Sequence, residues 1–227
     1  MIGIIGAMIE EIEPILDRLT CVKTTRIGGN KYHEGSYGGK QVTVAYSRIG
    51  KVNAALTAAT LIERFNAEKI LFSGVAGALK SHLKIGDLIY AERLVQHDVD
   101  ISAFGHPLGF IPESGDYFET SAQLNEIAAS VALVRGVELG KGTIATGDQF
   151  IADGAKKEWI QKQFGADAVE MEGAAVACVC AAFHIPVFVL RAISDAADMD
   201  AGFNFDEFLK SSAKISADFV LDMVARL

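Results

Sequence analysis

The stretch Val187-Phe-Val-Leu-Arg-Ala-Ile-Ser-Asp195 decides how this chain is read. Its first four residues are apolar on both faces of an extended backbone. A strand of that kind is buried on both sides, as in a mostly parallel sheet sandwiched between helices. The stretch then carries Arg191 and ends on Asp195, four residues apart and so on one face of a regular strand. Charged side chains in apolar surroundings are costly unless paired or hydrogen-bonded, so packing alone does not place them there. The pair reads either as a structural salt bridge or as a site where Arg191 orients a carboxylate or water and Asp195 handles a proton.

The same kind of strand recurs. Ile70-Leu-Phe-Ser73 is apolar on both faces, and Met1-Ile-Gly-Ile-Ile-Gly-Ala-Met8 is a buried-looking run followed at once by Glu10, Glu11 and Glu13. Strands are predicted at 1–5, 41–47, 70–73, 87–92, 138–145 and 187–193. Helices are predicted at 9–19, 52–65, 121–133, 155–164, 173–183 and 205–227. In the last helix Phe205, Phe208, Leu209, Ile215, Phe219, Val220, Met223, Val224 and Leu227 follow the 3–4 spacing of one buried stripe, and Asn204 with Glu207 fits a capped start. Strands alternating with helices give an α/β fold: a single-domain three-layer α/β/α arrangement around a central mixed, mostly parallel sheet. No linker, repeat or low-complexity segment interrupts it, so residues 1–227 read as one domain. The segment 102–118 contains Gly105, Pro107, Gly109, Pro112 and Gly115 and reads as a long irregular loop, a kind that is usually functional.

Composition narrows the function. Half of the 227 residues are hydrophobic, enough for a large core, and the net charge of −8 argues against nucleic acid as a partner. No apolar stretch reaches the ~18 residues of a membrane span. The first apolar run lacks a basic segment before it, so it reads as a strand and not a signal peptide. Cys21, Cys178 and Cys180 are odd in number and widely split, which reads as small core residues in a reducing cytoplasm. The five histidines show no metal-ligand spacing, and no metal or cofactor is expected.

In open α/β sheets, sites form outside the carboxyl ends of the strands. Glu11 and Asp195 both lie at such ends, and Gly74-Val-Ala-Gly77 reads as following a third. Glu170 and Glu172 flank Met171 at a strand-to-helix junction. They share a face only if the strand persists through both; Glu170 reads as structural and Glu172 as the group that meets a ligand. For Glu10, Glu11 and Glu13 the plain alternative is a favourable acidic first helical turn. Gly3 and Gly6 do not make a G-x-G-x-x-G fingerprint, and acids after the turn have the wrong sign for a phosphate there.

Seven segments, in order along the whole chain, then carry a resemblance. They are Gly3-Ile-Ile-Gly-Ala-Met-Ile-Glu-Glu11, Ser73-Gly-Val-Ala-Gly77, Ser102-Ala-Phe-Gly105, Thr146-Gly-Asp-Gln-Phe150, Val169-Glu-Met-Glu172, Arg191-Ala-Ile-Ser-Asp195 and Phe205-Asp-Glu-Phe208. Together they resemble the bacterial 5′-methylthioadenosine/S-adenosylhomocysteine nucleosidases of the nucleoside phosphorylase superfamily. The resemblance implies a hydrolase that breaks the N-glycosidic bond of 5′-thio-substituted adenosines. By it, Glu11 would activate water with help from Arg191, and Asp195, supported by Ser194, would protonate adenine N7. Glu172 would accept the ribose hydroxyls, with Met171 against the sugar. Phe150 would stack on the base, the backbone of Ile151 would read its edge, and Ala76 and Gly77 would contact it through backbone. Met8, Ile49 and Phe205 would line the ribose and alkylthio pocket. A homodimer is implied too, with Phe104 and Pro112 closing the partner's pocket. Val75 stands where relatives often have Ser or Thr, and His106 where many have Tyr.

The chemistry suits these residue types. Adenine leaves poorly as an anion, so N7 must gain a proton from an acid whose pKa burial has raised. The ribosyl ring becomes oxocarbenium-like, and anionic carboxylates stabilise it. An acid on one face and a water-activating carboxylate on the other is the logic of glycoside hydrolysis. Rival readings are a hydrolase of a larger 5′-substituted purine nucleoside such as futalosine or its amino analogue, a purine nucleoside phosphorylase, and a non-catalytic nucleoside binder.

Overall fold

The computed structural model describes residues 1–198 and 201–227. The chain runs β1 (Ile2–Gly6), α1 (Ile9–Leu16), β2 (Thr20–Ile27), β3 (Asn30–Tyr37), β4 (Lys40–Tyr46), α2 (Lys51–Phe65), β5 (Lys69–Ala78) and β6 (Leu88–Gln96). After a short 3-10 turn (Ser102–Phe104) come β7 (Tyr117–Glu119), α3 (Ala122–Arg135), β8 (Leu139–Thr146) and α4 (Gly154–Phe164). The last elements are β9 (Ala168–Glu170), α5 (Gly173–Ala182), β10 (Val187–Asp195) and α6 (Ala201–Val224).

The strands form one mixed sheet. β4, β1, β5 and β10 lie side by side in parallel. Their adjacent residues point to opposite faces, as a pleated strand requires. Ile5, Phe72 and Val189 join Ala54, Leu61 and Ala174 of α2 and α5 in one core. Ile4, Leu71 and Phe188 join Ile12, Leu124 and Phe219 of α1, α3 and α6 in the other. These two cores are the outer seams of a three-layer α/β/α arrangement.

One side of the sheet closes on itself. β10 pairs antiparallel with β6, β6 parallel with β8, β8 parallel with β9, and β9 antiparallel with β5. β5 therefore exchanges one neighbour along its length. It pairs with β1 as far as Phe72, and with β9 from Gly77 onward. Between these points one edge of β5 is unpaired, and a cleft lined by Val75, Ala76 and Gly77 opens there. The segment Gly74-Val-Ala-Gly77 thus lies inside β5 and not in a loop after it.

Other elements depart from the periodicity reading. β2 and β3 form a hairpin that apolar alternation does not announce, because β2 is almost entirely exposed. Its signal is turn chemistry. Gly28-Gly29 and Gly38-Gly39 both take positive φ (56° and 80°, 55° and 79°), as two-residue hairpin turns demand. Cys21 lies exposed in β2 and is no core residue, whereas Cys180 is buried. α6 begins at Ala201, so Asn204 and Glu207 lie within the helix and do not cap it. The 102–118 segment is irregular apart from the 3-10 turn, an isolated bridge from Ile111 to Gly115 and the start of β7. Among the described residues no helix is long and apolar enough to cross a membrane.

Candidate active site

Glu11 is the third residue of α1 and turns back onto the start of its own helix. Its Oε2 accepts the amides of Ala7 (2.6 Å) and Met8 (3.0 Å). Its Oε1 accepts the Val75 amide at 3.1 Å, in the unpaired gap of β5. The side chain is both a helix cap and a plug for an open strand edge. Burial is the largest influence on its acidity and pushes its pKa up; the Arg191 guanidinium and the three amides pull against it, and burial wins. Glu10 instead lines an outer groove between α1 and α6, away from this cleft.

Glu172 stands between β9 and α5 as the residue that begins the helix, yet its side chain makes no cap. Glu170 and Thr146 do that work. Glu170 Oε2 accepts the amides of Glu172 (3.1 Å) and Gly173 (2.7 Å), and Thr146 Oγ1 accepts that of Ala174 at 2.8 Å. The Thr146 hydroxyl in turn donates to Glu170 Oε1. Because α5 is capped from two residues upstream, the Glu172 carboxylate is left to face the cavity, where its Oε1 accepts the Gly50 amide at 2.8 Å. Burial first, and the neighbouring Glu170 charge second, push the Glu172 pKa up to about 8.

Arg191 and Asp195 do not face each other. A register shift between Ile193 and Asp195 breaks the same-face relation that a regular strand would give. Arg191 pairs with Glu170 instead (Nη2 to Oε2, 2.6 Å), packs over the Phe72 ring at 4.1 Å and is 1% exposed. Its guanidinium lies near Glu11: a Cβ on Gly74 would lie 2.9 Å from Glu11 Oε1 and 3.0 Å from Arg191 Nη1. From there its positive charge works to lower the Glu11 pKa. The bare glycine therefore gives both groups room above the strand. Arg191 lies behind the cavity wall and does not line it.

Asp195 ends β10, 3% exposed. Its Oδ2 accepts the Ser194 hydroxyl at 2.9 Å and its Oδ1 the Ala197 amide at 2.8 Å. Burial raises its pKa against both hydrogen bonds. Across from it a Cβ on Gly77 would fall 2.7 Å from Oδ1 and 3.0 Å from the Ala197 Cβ, so only glycine leaves space for this carboxyl group.

These groups converge on one cavity of about 290 Å³. Glu11, Glu172 and Asp195 reach it from three elements, and Ser194, Ala76 and Gly77 also line it. Met8, Ile49, Met171, Phe150 and Phe205 form its apolar wall, with Phe150 and Phe205 packed edge to face at 5.5 Å. Ile151 lines a small recess that adjoins the cavity beside Phe150 and Asp195. Ala7, Val169 and Glu170 also line the cavity, though the sequence marks none of them as a ligand group. Phe104 and Pro112 do not line it: Phe104 is 82% exposed and Pro112 lies on the surface. Among the described residues no group of three or more His, Cys, Asp or Glu side chains is arranged to hold a metal ion.

A closed ring of strands with a carboxylate-lined apolar cleft at its broken edge defines the class. Residues 1–225 match the model of the phosphorylase superfamily, and the chain belongs to that family. An aminodeoxyfutalosine nucleosidase of Helicobacter pylori (strain J99 / ATCC 700824) is 53% identical over 227 residues, spanning 100% of this chain and 99% of that protein. A 5′-methylthioadenosine/S-adenosylhomocysteine nucleosidase of Actinobacillus succinogenes is 40% identical over 227 residues, spanning 100% and 99%. Among solved structures, the 5′-methylthioadenosine/S-adenosylhomocysteine nucleosidase of Helicobacter pylori superposes with a TM-score of 0.98 at 53% identity, covering 100% of this chain and 98% of that one. That structure holds an aminopyrrolopyrimidine joined to a thio-substituted hydroxypyrrolidine.

Proposed function

We propose that this protein hydrolyses the N-glycosidic bond of adenine nucleosides that carry a 5′ substituent, among them 5′-methylthioadenosine and S-adenosylhomocysteine. The observation that carries the reading is the trio Glu11, Glu172 and Asp195 in one apolar cavity, each with its pKa raised by burial. Asp195 gives its proton to adenine N7 while the bond from N9 to C1′ breaks. A water adds to C1′ and passes a proton to Glu11, whose raised pKa brings it nearer working pH as a base. Arg191 acts on Glu11 from behind the wall. Glu172, once ionised, accepts the ribose hydroxyls and offsets the positive charge on the sugar. Phe150 stacks on the base, the Ile151 backbone reads its edge, and Met8, Ile49 and Phe205 receive the 5′ group. The products are adenine and 5-methylthioribose or S-ribosylhomocysteine.

Water is favoured over phosphate because the amides of Ala7, Met8 and Val75, the ready anion ligands of the cleft, are already taken by Glu11. A dianion would meet a carboxylate there. A second substrate class is favoured by the 53% identity to a protein named aminodeoxyfutalosine nucleosidase: nucleosides with a bulkier 5′ extension. Ile49 and Phe150 leave the cavity mouth about half exposed, which gives such an extension room. The same exposed rim, and the uncovered Phe104 and Pro112, fit a homodimer in which this loop closes the partner's pocket. We place the activity in the cytoplasm, in methionine salvage. The test is chromatography of products from 5′-methylthioadenosine, S-adenosylhomocysteine, aminodeoxyfutalosine and inosine, with and without phosphate. Free adenine and an unphosphorylated sugar are expected; a sugar 1-phosphate, or no cleavage, overturns the reading.

A further inference from the structure

The peptide unit between Ala196 and Ala197 is held at both ends. Its N–H donates to Asp195 Oδ1 at 2.8 Å. Its carbonyl oxygen accepts the ammonium of Lys157, on α4, at 2.5 Å. The C=O and N–H of one trans peptide point in opposite directions, so fixing the oxygen fixes the direction of the amide. The turn needs such a hold. Ala197 has φ 49°, a left-handed conformation that residues other than glycine rarely adopt, and it is fully buried against the Gly77 side of the cleft. Lys157 lines none of the cavity, and catalysis as described above gives it no part.

We propose that Lys157 is a positioning residue for Asp195, acting through the Ala196–Ala197 peptide. The inference rests on the proposed function, which assigns the proton to Asp195. As that proton passes to N7, negative charge grows on the Asp195 carboxyl, and an amide already aimed at it stabilises the charge without reorganisation. The ammonium lies at the carbonyl end of the same peptide, so its field and the peptide dipole act in one direction. Two charges bear on Asp195: Asp198 on the same turn raises its pKa, and Lys157 lowers it.

The experiment compares Lys157→Met with Lys157→Arg over a full pH range, using 5′-methylthioadenosine and a 5-methylthioriboside of p-nitrophenol. The second substrate has a leaving group that needs no proton. In Lys157→Met the loss of both charge and amide alignment raises the Asp195 pKa, so the alkaline limb of kcat/KM moves up by roughly half to one pH unit. Turnover of 5′-methylthioadenosine falls on the order of tenfold while its KM stays within about twofold, and the p-nitrophenyl substrate is unaffected. Lys157→Arg restores both limb and turnover. Should the Met variant fold poorly, Lys157→Gln, which keeps a donor but drops the charge, must still move the limb. An unmoved alkaline limb, or equal losses on both substrates, overturns the inference. Failure of the functional reading looks different: Asp195→Asn would then release adenine at the wild-type rate.

Discussion

Glu170→Gln tests the buried framework behind the cleft. Glu170 Oε2 holds three donors: Arg191 Nη2 at 2.6 Å and the amides of Glu172 and Gly173. The side chains of the Arg191–Glu170 pair are 1% and 3% exposed. A glutamine carbonyl can keep some of these bonds, but its NH₂ group replaces the acceptor of the Thr146 hydroxyl, and the buried guanidinium loses its ion-pair partner. Breaking a pair of this kind costs about 3–5 kcal/mol. For a chain of this size that is a Tm loss of roughly 6–20 °C. A second effect separates function from packing. Glu170 helps hold Glu172 at a pKa of about 8, so removing its charge, and releasing Arg191, both lower that value. The ionised form of Glu172 is the reactive one, so the acid limb of kcat/KM should move down by about one pH unit even as the protein loses stability. Stability follows the same linkage. A carboxyl whose pKa rises from 4.5 to about 8 on folding contributes stability that is full below 4.5 and is lost as pH rises through about 8. In Glu170→Gln that window should narrow at its upper end. Differential scanning calorimetry across pH with steady-state kinetics measures both. A variant with near-wild-type Tm and an unmoved acid limb would refute the argument.

Other changes address single parts of the site. Glu11→Gln should lower turnover by ~10²–10⁴, the usual worth of a positioned base, with the fold retained because the amide can still accept from Ala7 or Met8. Gly77→Ala would place a methyl 2.7 Å from Asp195 Oδ1, so activity should collapse while secondary structure by circular dichroism survives; an active Gly77→Ala enzyme would mean that Asp195 is not held where described. Phe104→Ala should weaken dimerisation in sedimentation and raise KM for 5′-methylthioadenosine together, with kcat little changed. A monomeric, fully active wild-type enzyme would remove the shared pocket.

Much of the site is legible in the sequence because acids interrupt apolar strands, and that contrast marks Glu11, Glu172 and Asp195. The strand Val187–Asp195 likewise shows its burial on both faces in composition alone. What the sequence hides is pairing across elements. Arg191 finds Glu170 through a neighbouring strand and not Asp195 four residues along, because a bulge that no residue announces turns the end of β10. β9 is three residues long, too short for periodicity to register. β2 is an exposed edge whose only signal is the Gly-Gly turn after it. The left-handed Ala197 has no signature at all, and its geometry is visible only once Lys157 and Asp195 are seen at the two ends of one peptide.

The central claim is that Asp195 supplies the proton that lets adenine leave. The most direct measurement is single-turnover release of adenine from 5′-methylthioadenosine by Asp195→Asn beside wild type, with substrate binding followed separately. An asparagine keeps the shape and the Ala197 contact but has no proton to give. A rate lower by on the order of 10²–10⁴, with binding retained, is expected. Cleavage at a near-wild-type rate by Asp195→Asn would contradict the claim.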